Sequence, residues 1–460
     1  MSTSALATSN ITSGFIDLAT FDEQEKYMYG GENATAYFVR ETRKSTWFTQ
    51  VPVTLSRSAG SPGFGQEFSV NISRAGDYLL YTWLRFTLPS VTLSSSNGNG
   101  VDGLLRWTRN VAHNLVRECV ITFNDLGAAR FDNFHLDFWS AFTTPAGKLN
   151  GYKNMIGDTP DLTDCRGPNE AFPAKTLNLP LPLFFSRDSG VALPTAAIPY
   201  NEMRISFSLR DYTDLLILDD GTNATRSRPV VASDLTAVPV LSNVQVWGNY
   251  AIVSTEERKR MSCAPRDILI EQVQSSPLQS FVPATDRNPQ YDIRLSHAIK
   301  CMLFGVRNTS NAAEWSNYTT GSPVVVADSI QFNPVGALDP IAETSLIYES
   351  TARLAQMGSD YFSLVQPYYH APVIPAITGY HMYSYSLDFI CLDPMGSTNY
   401  GKLSNVSVAL VASAAAQTSA AGGGAADSGY AFAQTFQFVL TAVNNNIIRI
   451  SGGAIGFPVL

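Results

Sequence analysis

Two glycine-bearing stretches resemble phosphate-binding loops. Gly396-Ser-Thr-Asn-Tyr-Gly401-Lys402-Leu403 follows a P-loop up to its lysine, then places Leu403 where a hydroxyl must meet magnesium. The residues after it alternate like a strand, so no helix N-terminus would face a phosphate. Gly98-Asn-Gly100-Val-Asp-Gly103 has dinucleotide-loop spacing, but a Ser/Asn loop precedes it and no helix opening follows. Neither stretch predicts a nucleotide site.

Metal and nucleophile chemistry fare no better. His113, His135, His297, His370 and His381 include no pair at H-x-H or H-E-x-x-H spacing. Cys119, Cys165, Cys263, Cys301 and Cys391 are odd in number and widely spaced, which predicts free thiols rather than a disulfide framework or metal knuckle. There is no G-x-S-x-G elbow, and the carboxylates are scattered singly through loops. The expected catalytic, cofactor-binding and metal-ligating residues are therefore none, and no cofactor is expected. Seven glycosylation sequons, at Asn10, Asn33, Asn71, Asn223, Asn308, Asn317 and Asn405, read as by-products of Asn/Ser/Thr-rich loops. The N-terminus has neither the basic nor the apolar region of a signal peptide, and no apolar run is long enough to span a bilayer.

Composition narrows the class. Hydrophobic residues make up 45% and charged residues 15%, against roughly 25% charged in an average globular chain. So few ionic side chains suit a protein that buries much of its outside against copies of itself. The net charge of −8 and the compensated cluster Glu256-Glu257-Arg258-Lys259-Arg260 oppose direct nucleic-acid binding.

Strands must position whatever function the chain has. Met203, Ile205, Phe207 and Leu209 alternate with polar neighbours, the pattern of a half-buried strand. Tyr78, Leu80, Leu84, Phe86 and Leu88 share one parity, as do Val244, Val246, Tyr250 and Ile252. Further examples are Tyr383–Phe389, Val406–Leu410 and Phe436–Leu440. Many short strands between Gly/Pro/Asn/Ser turns predict an all-β chain of two consecutive antiparallel sandwiches. Capping boxes at Thr20/Glu23 and Ser254/Glu257 predict two short helices, the first ended by Gly30 and Gly31 and the second running to about Ser262. Phe131, Phe134, Phe138, Trp139 and Phe142 recur at helical spacing before Pro145 and predict a buried helix face. The polar stretch Asp219–Ser242 predicts the divide between the halves; Ser94–Gly103 and Thr418–Gly429 read as loops. The expected organisation is an arm at 1–35, a first sandwich at 36–213, a linker at 214–243 and a second sandwich at 244–460.

Blocks spread along the chain resemble the iridovirus major capsid protein family. They include Ser-Gly-Phe-Ile-Asp-Leu-Ala-Thr at 13–20, Phe-Gly-Gln-Glu-Phe-Ser-Val at 64–70 and Arg-Ala-Gly-Asp-Tyr at 74–78. Leu-Asp-Phe-Trp at 136–139 and Leu-Pro-Leu-Phe-Phe-Ser-Arg-Asp at 181–188 continue the series. Ile-Glu-Gln-Val-Gln at 270–274, the P-loop lookalike at 396–402 and Gly-Phe-Pro-Val-Leu at 456–460 complete it. The resemblance implies two eight-stranded jelly rolls (a double jelly roll) with a few inserted helices and no catalysis. It implies a homotrimer with a pseudo-hexagonal outline, tiling an icosahedral shell around an internal membrane and a double-stranded DNA genome. The partners implied are neighbouring capsomers, minor capsid proteins and penton proteins, with membrane-side contact through the arm and no direct nucleic acid. Assembly would take place in the host cytoplasm, and loops around 305–345 and 412–432 would form outward towers. Two rival readings are a tandem-sandwich lectin, which glycan binding by a monomer would favour, and a metal-dependent jelly-roll enzyme, which stoichiometric metal would favour.

Overall fold

Alternating strands of this kind pair into sheets whose apolar faces must meet, and the computed structural model shows which strands pair. It describes residues 3–94, 103–219, 227–263, 265–321, 324–326, 329–331, 338–422 and 433–457. Residues 95–102 of the Ser94–Gly103 loop, and with them 98–102 of the Gly98–Gly103 motif, lie outside the described residues, as do 322–323, 327–328, 332–337 and 423–432. The rest of the stretches expected as outward loops includes the buried residues Ala313, Glu314, Ser316 and Tyr318 and the helix Ala414–Ala421.

In the first sandwich one antiparallel sheet runs in the order Phe48–Thr54, Ser242–Val253, Tyr78–Leu88, Lys175–Pro180. The other runs Ser56–Gly60, Glu67–Asn71, Met203–Leu209, Val116–Phe123, Leu126–Asp132. Met203, Ile205, Phe207 and Leu209 point into the core as their parity requires. They share that core with Leu84, Phe86 and Leu88 of the facing sheet.

The pairing corrects three expectations. Tyr78–Leu88 does not keep one parity: Leu79 is buried, whereas Tyr78 and Leu80 are only partly so. The register shifts between Asn249 and Tyr250 of the neighbouring strand, and such a bulge moves the side chains beyond it to the opposite face. Ser242–Val253, placed by the sequence in the second half, is hydrogen-bonded between two strands of the first. Leu216–Asp219, inside the predicted linker, pairs with Leu104–Trp107 and Ser227–Pro229. Alternation identifies a strand but not its partner, and the partner decides the boundary.

The second sandwich sets Arg266–Ser275, Phe436–Ser451, Ala298–Asn308 and His381–Ser384 against Gln290–Asp292, Val406–Ala412, Ile341–Tyr348 and Thr351–Gly358. Its two central strands are buried on both faces over most of their length, although Ile447, Arg449 and Ser451 near the end of Phe436–Ser451 are exposed. In Ala298–Asn308, Met302, Phe304 and Val306 enter the sandwich core. Cys301 and Leu303 face the other way, onto Phe134, Phe138 and Phe142 of the helix Asn133–Thr143. The aromatic stripe is thus a buried helix face, and what it buries against is the outer face of the second sandwich. Phe131 falls outside the helix, in the strand Leu126–Asp132. The strand expected over Tyr383–Phe389 stops at Ser384, and Leu387 is 76% exposed.

The N-terminal unit, 1–47, holds two helices, Thr3–Ala19 and Glu23–Met28. The first was not foreseen. The second is capped by Asp22 and Glu25, not Thr20 and Glu23: Asp22 accepts from the Glu23 amide at 2.8 Å, and Glu25 accepts from the Asp22 amide at 3.3 Å. Both pairs satisfy the box spacing, and the carboxylate of Asp22 holds the first-turn amides. The second predicted helix forms as Thr255–Cys263. Among the described residues no helix is long and apolar enough to cross a membrane.

Candidate functional site

The P-loop lookalike is closed on itself. Thr398 and Asn399 pair with Ile299 and Ala298, the Tyr400 amide donates to the His297 carbonyl at 3.0 Å, and Asn399 Oδ1 accepts from the Gly401 amide at 3.0 Å. The amides of Tyr400, Gly401 and Leu403 are thus committed to protein oxygens and not turned to a phosphate. Tyr400 is buried, and its hydroxyl meets those of Tyr385 at 2.6 Å and Tyr348 at 3.2 Å. Burial pushes the Tyr385 and Tyr400 phenols well up, so they stay protonated and bond to one another.

The fold does gather one group that spacing could not reveal. Asp339, Ser359 and His381 are the constituents of a nucleophilic triad, with Asp339 Oδ2 at 2.7 Å and Ser359 Oγ at 2.8 Å from His381. Both lie on Nε2, however, while Nδ1 is buried without a partner. A relay needs carboxylate and nucleophile on opposite nitrogens. This arrangement ties strand ends together and cannot activate Ser359. No group of three or more His, Cys, Asp or Glu among the described residues is placed to hold a metal ion. All five cysteines are free. Burial raises the Cys301 thiol to about 12 and lifts Cys119 further, which keeps both un-ionised.

Polar chemistry concentrates instead at the seam between the sandwiches. Asp137, on the aromatic helix and fully buried, accepts from His113 Nδ1 at 2.7 Å, Ser316 Oγ at 2.7 Å, Tyr318 hydroxyl at 3.2 Å and Asn110 Nδ2 at 3.3 Å. His113 and Asn110 belong to the first half, Ser316 and Tyr318 to the second. One carboxylate therefore bonds both. Behind it, Nε2 of His113 lies 2.6 Å from the Tyr152 hydroxyl.

Two further arrangements flank this hub. Trp315 is held between guanidinium groups, Arg210 at 3.8 Å and Arg307 at 4.0 Å from its ring, while its indole donates to the Asp214 carbonyl at 2.9 Å. Burial, reinforced at Arg210 by the neighbouring Arg307, lowers both guanidinium groups to about 10, which leaves them charged at neutral pH. On the other side Glu271 takes Lys300 at 2.6 Å and Arg187 at 3.1 Å, and Arg187 lies 3.6 Å over the Trp139 ring. The Gln272 side chain also donates to the Ala128 carbonyl at 2.6 Å, joining the two halves at the sheet edge.

This seam can do mechanical work. An apolar helix face supplies non-directional attraction, and charge-assisted hydrogen bonds from fixed atoms select one relative placement. Sequence reading found the helix but missed its polar members. The signal was present: Asn133, His135 and Asp137 interrupt the aromatic stripe, and a helix with polar groups on a buried side needs partners for them. Beside the seam runs a half-open groove of about 750 Å³ whose walls include Tyr81, Trp83, Trp139, Tyr152 and Met155.

Comparisons with known proteins agree with this geometry. Residues 36–253 match the family model described as "Major capsid protein N-terminus", and 257–456 match "Large eukaryotic DNA virus major capsid protein". The chain is 63% identical to the major capsid protein of Costelytra zealandica iridescent virus, covering 99% of this chain and 100% of that one. With the same coverage it is 53% identical to that of Lymphocystis disease virus 1 (isolate Darai) and 46% to that of Rana tigrina ranavirus. Among solved structures, the PBCV-1 virus capsid matches with a TM-score of 0.71 at 22% identity, over 92% of this chain and 100% of that one. The Faustovirus major capsid protein matches with a TM-score of 0.70 at 12% identity, over 91% and 93%. The shared fold is the double jelly roll.

Proposed function

The chain belongs to the major capsid protein family of large eukaryotic DNA viruses, with its curated relatives among the iridoviruses, and from that premise we propose that three copies form a pseudo-hexagonal capsomer. It is a structural protein of the virion capsid and not an enzyme. Two sandwiches in each of three copies give the near-sixfold outline, and such capsomers tile an icosahedral shell assembled in the host cytoplasm. Neighbouring capsomers, minor capsid proteins and penton proteins are the partners, and the N-terminal arm lies toward the internal membrane side.

The observation that carries this reading is the seam. A near-sixfold unit from three chains needs both sandwiches held at one fixed angle, and Asp137 with its donors from both halves supplies that fixity. The division that follows puts the first sandwich up to Val253, the helix Thr255–Cys263 as connector, and the second sandwich from Arg266. Light scattering on the purified chain, with negative-stain images of the same peak, tests the proposal. A three-chain particle with a hexagonal outline is expected. A stable monomer at capsid-forming concentrations would overturn the trimer.

A further inference from the structure

The N-terminal unit, taken by itself, is unfinished. Ile11, Phe15, Leu18, Tyr27, Phe38 and Trp47 are all largely exposed, and no residue of the helix Glu23–Met28 is buried. So many exposed large apolar side chains on a short segment mark an interaction surface.

The charges of the arm are divided along its length. From the start to Glu32 it carries five carboxylates, Asp17, Asp22, Glu23, Glu25 and Glu32, against the single cation Lys26. From Asn33 to Trp47 it carries three cations, Arg40, Arg43 and Lys44, against the single carboxylate Glu41. Lys26 is taken by Glu23 at 2.6 Å. Among the described residues of the N-terminal unit, Arg40, Arg43 and Lys44 make no ion pair. One end of the arm is therefore acidic and the other basic.

We propose that the arm binds the arm of a second copy head to tail, the basic segment 40–44 of one lying along the acidic segment 17–32 of the next. This rests on the trimer proposed above. A contact of this kind uses two different surfaces on each copy, and three such contacts related by a threefold axis close into a ring with no end left over. Apolar side chains supply the buried area, and the opposed charges set direction and register. An anionic lipid surface is the poorer fit. The helix Thr3–Ala19 has no cation and one carboxylate, Asp17, whereas interfacial helices that hold anionic lipid carry Lys and Arg on the polar face.

The test uses the full-length chain. Trimers assembled from mixed isotope-labelled and unlabelled copies are treated with a zero-length carbodiimide, which joins a lysine amine only to a carboxylate in contact with it. Lys44 is expected to link to carboxylates of the 17–32 segment in another copy. R40E/R43E, which keeps Lys44, should lower the yield of that link about tenfold, since exposed pairs are weak singly and add up across a patch. D17R/E32R should do the same, and co-expressing the two variants should restore links in mixed trimers. Trimers of normal mass whose Lys44 links only within its own copy would overturn the arm pairing and leave the capsomer standing. Loss of vesicle binding by R40E/R43E with the inter-copy links intact would assign the charges to lipid and overturn it too. A chain that is monomeric throughout would remove the trimer and the arm pairing with it.

Discussion

Replacing Asp137 with alanine should do more harm than its size suggests. The substitution removes one carboxylate and strands the groups that point at it. His113 Nδ1, Ser316 Oγ and the Tyr318 hydroxyl are buried and within 3.2 Å of its oxygens. Each buried group left without a partner costs about 1–3 kcal/mol. Ser316 keeps the hydrogen bond it accepts from Asn114 Nδ2 at 2.9 Å, but the proton it gives to Asp137 loses its acceptor. With part of that cost relieved by local rearrangement, the expected loss is about 3–5 kcal/mol. Equilibrium denaturant unfolding followed by tryptophan fluorescence would measure it. Asp161→Asn serves as the comparison, because Asp161 pairs with Lys175 at 2.8 Å while 41% exposed, and a surface pair is worth at most about 1 kcal/mol. D137A should also open the link between the sandwiches to protease at concentrations that leave the parent chain intact. A loss under about 1 kcal/mol for D137A, no greater than for D161N, would refute the view that this hub fixes the seam.

Two other outcomes follow from the same seam. His135 is buried with both ring nitrogens unpaired and, through burial first and the nearby Arg187 second, titrates near 3 in place of 6.5. The unfolded chain therefore takes up a proton that the folded chain refuses, so stability is full above 6.5 and falls as pH drops toward 3, by up to about 1.4 kcal/mol per pH unit. The His135→Gln variant should show a flatter acid limb in the same unfolding series, and an identical limb would contradict this. Lys300→Met, which leaves Glu271 with Arg187 alone, should cost about 3 kcal/mol, whereas replacing Lys300, Glu271 and Arg187 together by methionine should recover most of it. A triple variant as unstable as the single one would show that the aliphatic stems, not the charges, matter at this point.

Much of the fold was legible because half-buried strands announce themselves. Met203–Leu209 has polar residues on one face and core on the other, so its period survives in the sequence. Ala298–Asn308 gave no such signal because both faces are buried, one in the sandwich and one against the aromatic helix, which removes the alternation; of Phe436–Ser451 only the stretch Phe436–Leu440 was read. The boundary was misplaced for a different reason: Ser242–Val253 pairs with strands roughly 155 to 205 residues earlier in the chain, at Phe48–Thr54 and Tyr78–Leu88, and nothing local records so distant a partner. The cap at Asp22 was missed because two overlapping boxes fit one stretch. The Asp339–Ser359–His381 group was invisible to spacing, and only the geometry around Nε2 shows that it is not a catalytic triad.

The seam raises a question of design that stability alone does not answer. Glu271, Lys300 and Arg187 could be replaced by apolar residues at little energetic loss, yet two cations and a carboxylate are kept out of water there. Apolar surfaces tolerate sliding, because area buried changes little over an ångström of shift. A hydrogen bond to a carboxylate is lost over the same distance. In a shell subunit a small error of angle between sandwiches is repeated at every copy and summed around a closed surface. The charged seam therefore exchanges some stability for a single geometry. Asp137 is its centre because a carboxylate on a helix packed between the sandwiches can take donors from both at once.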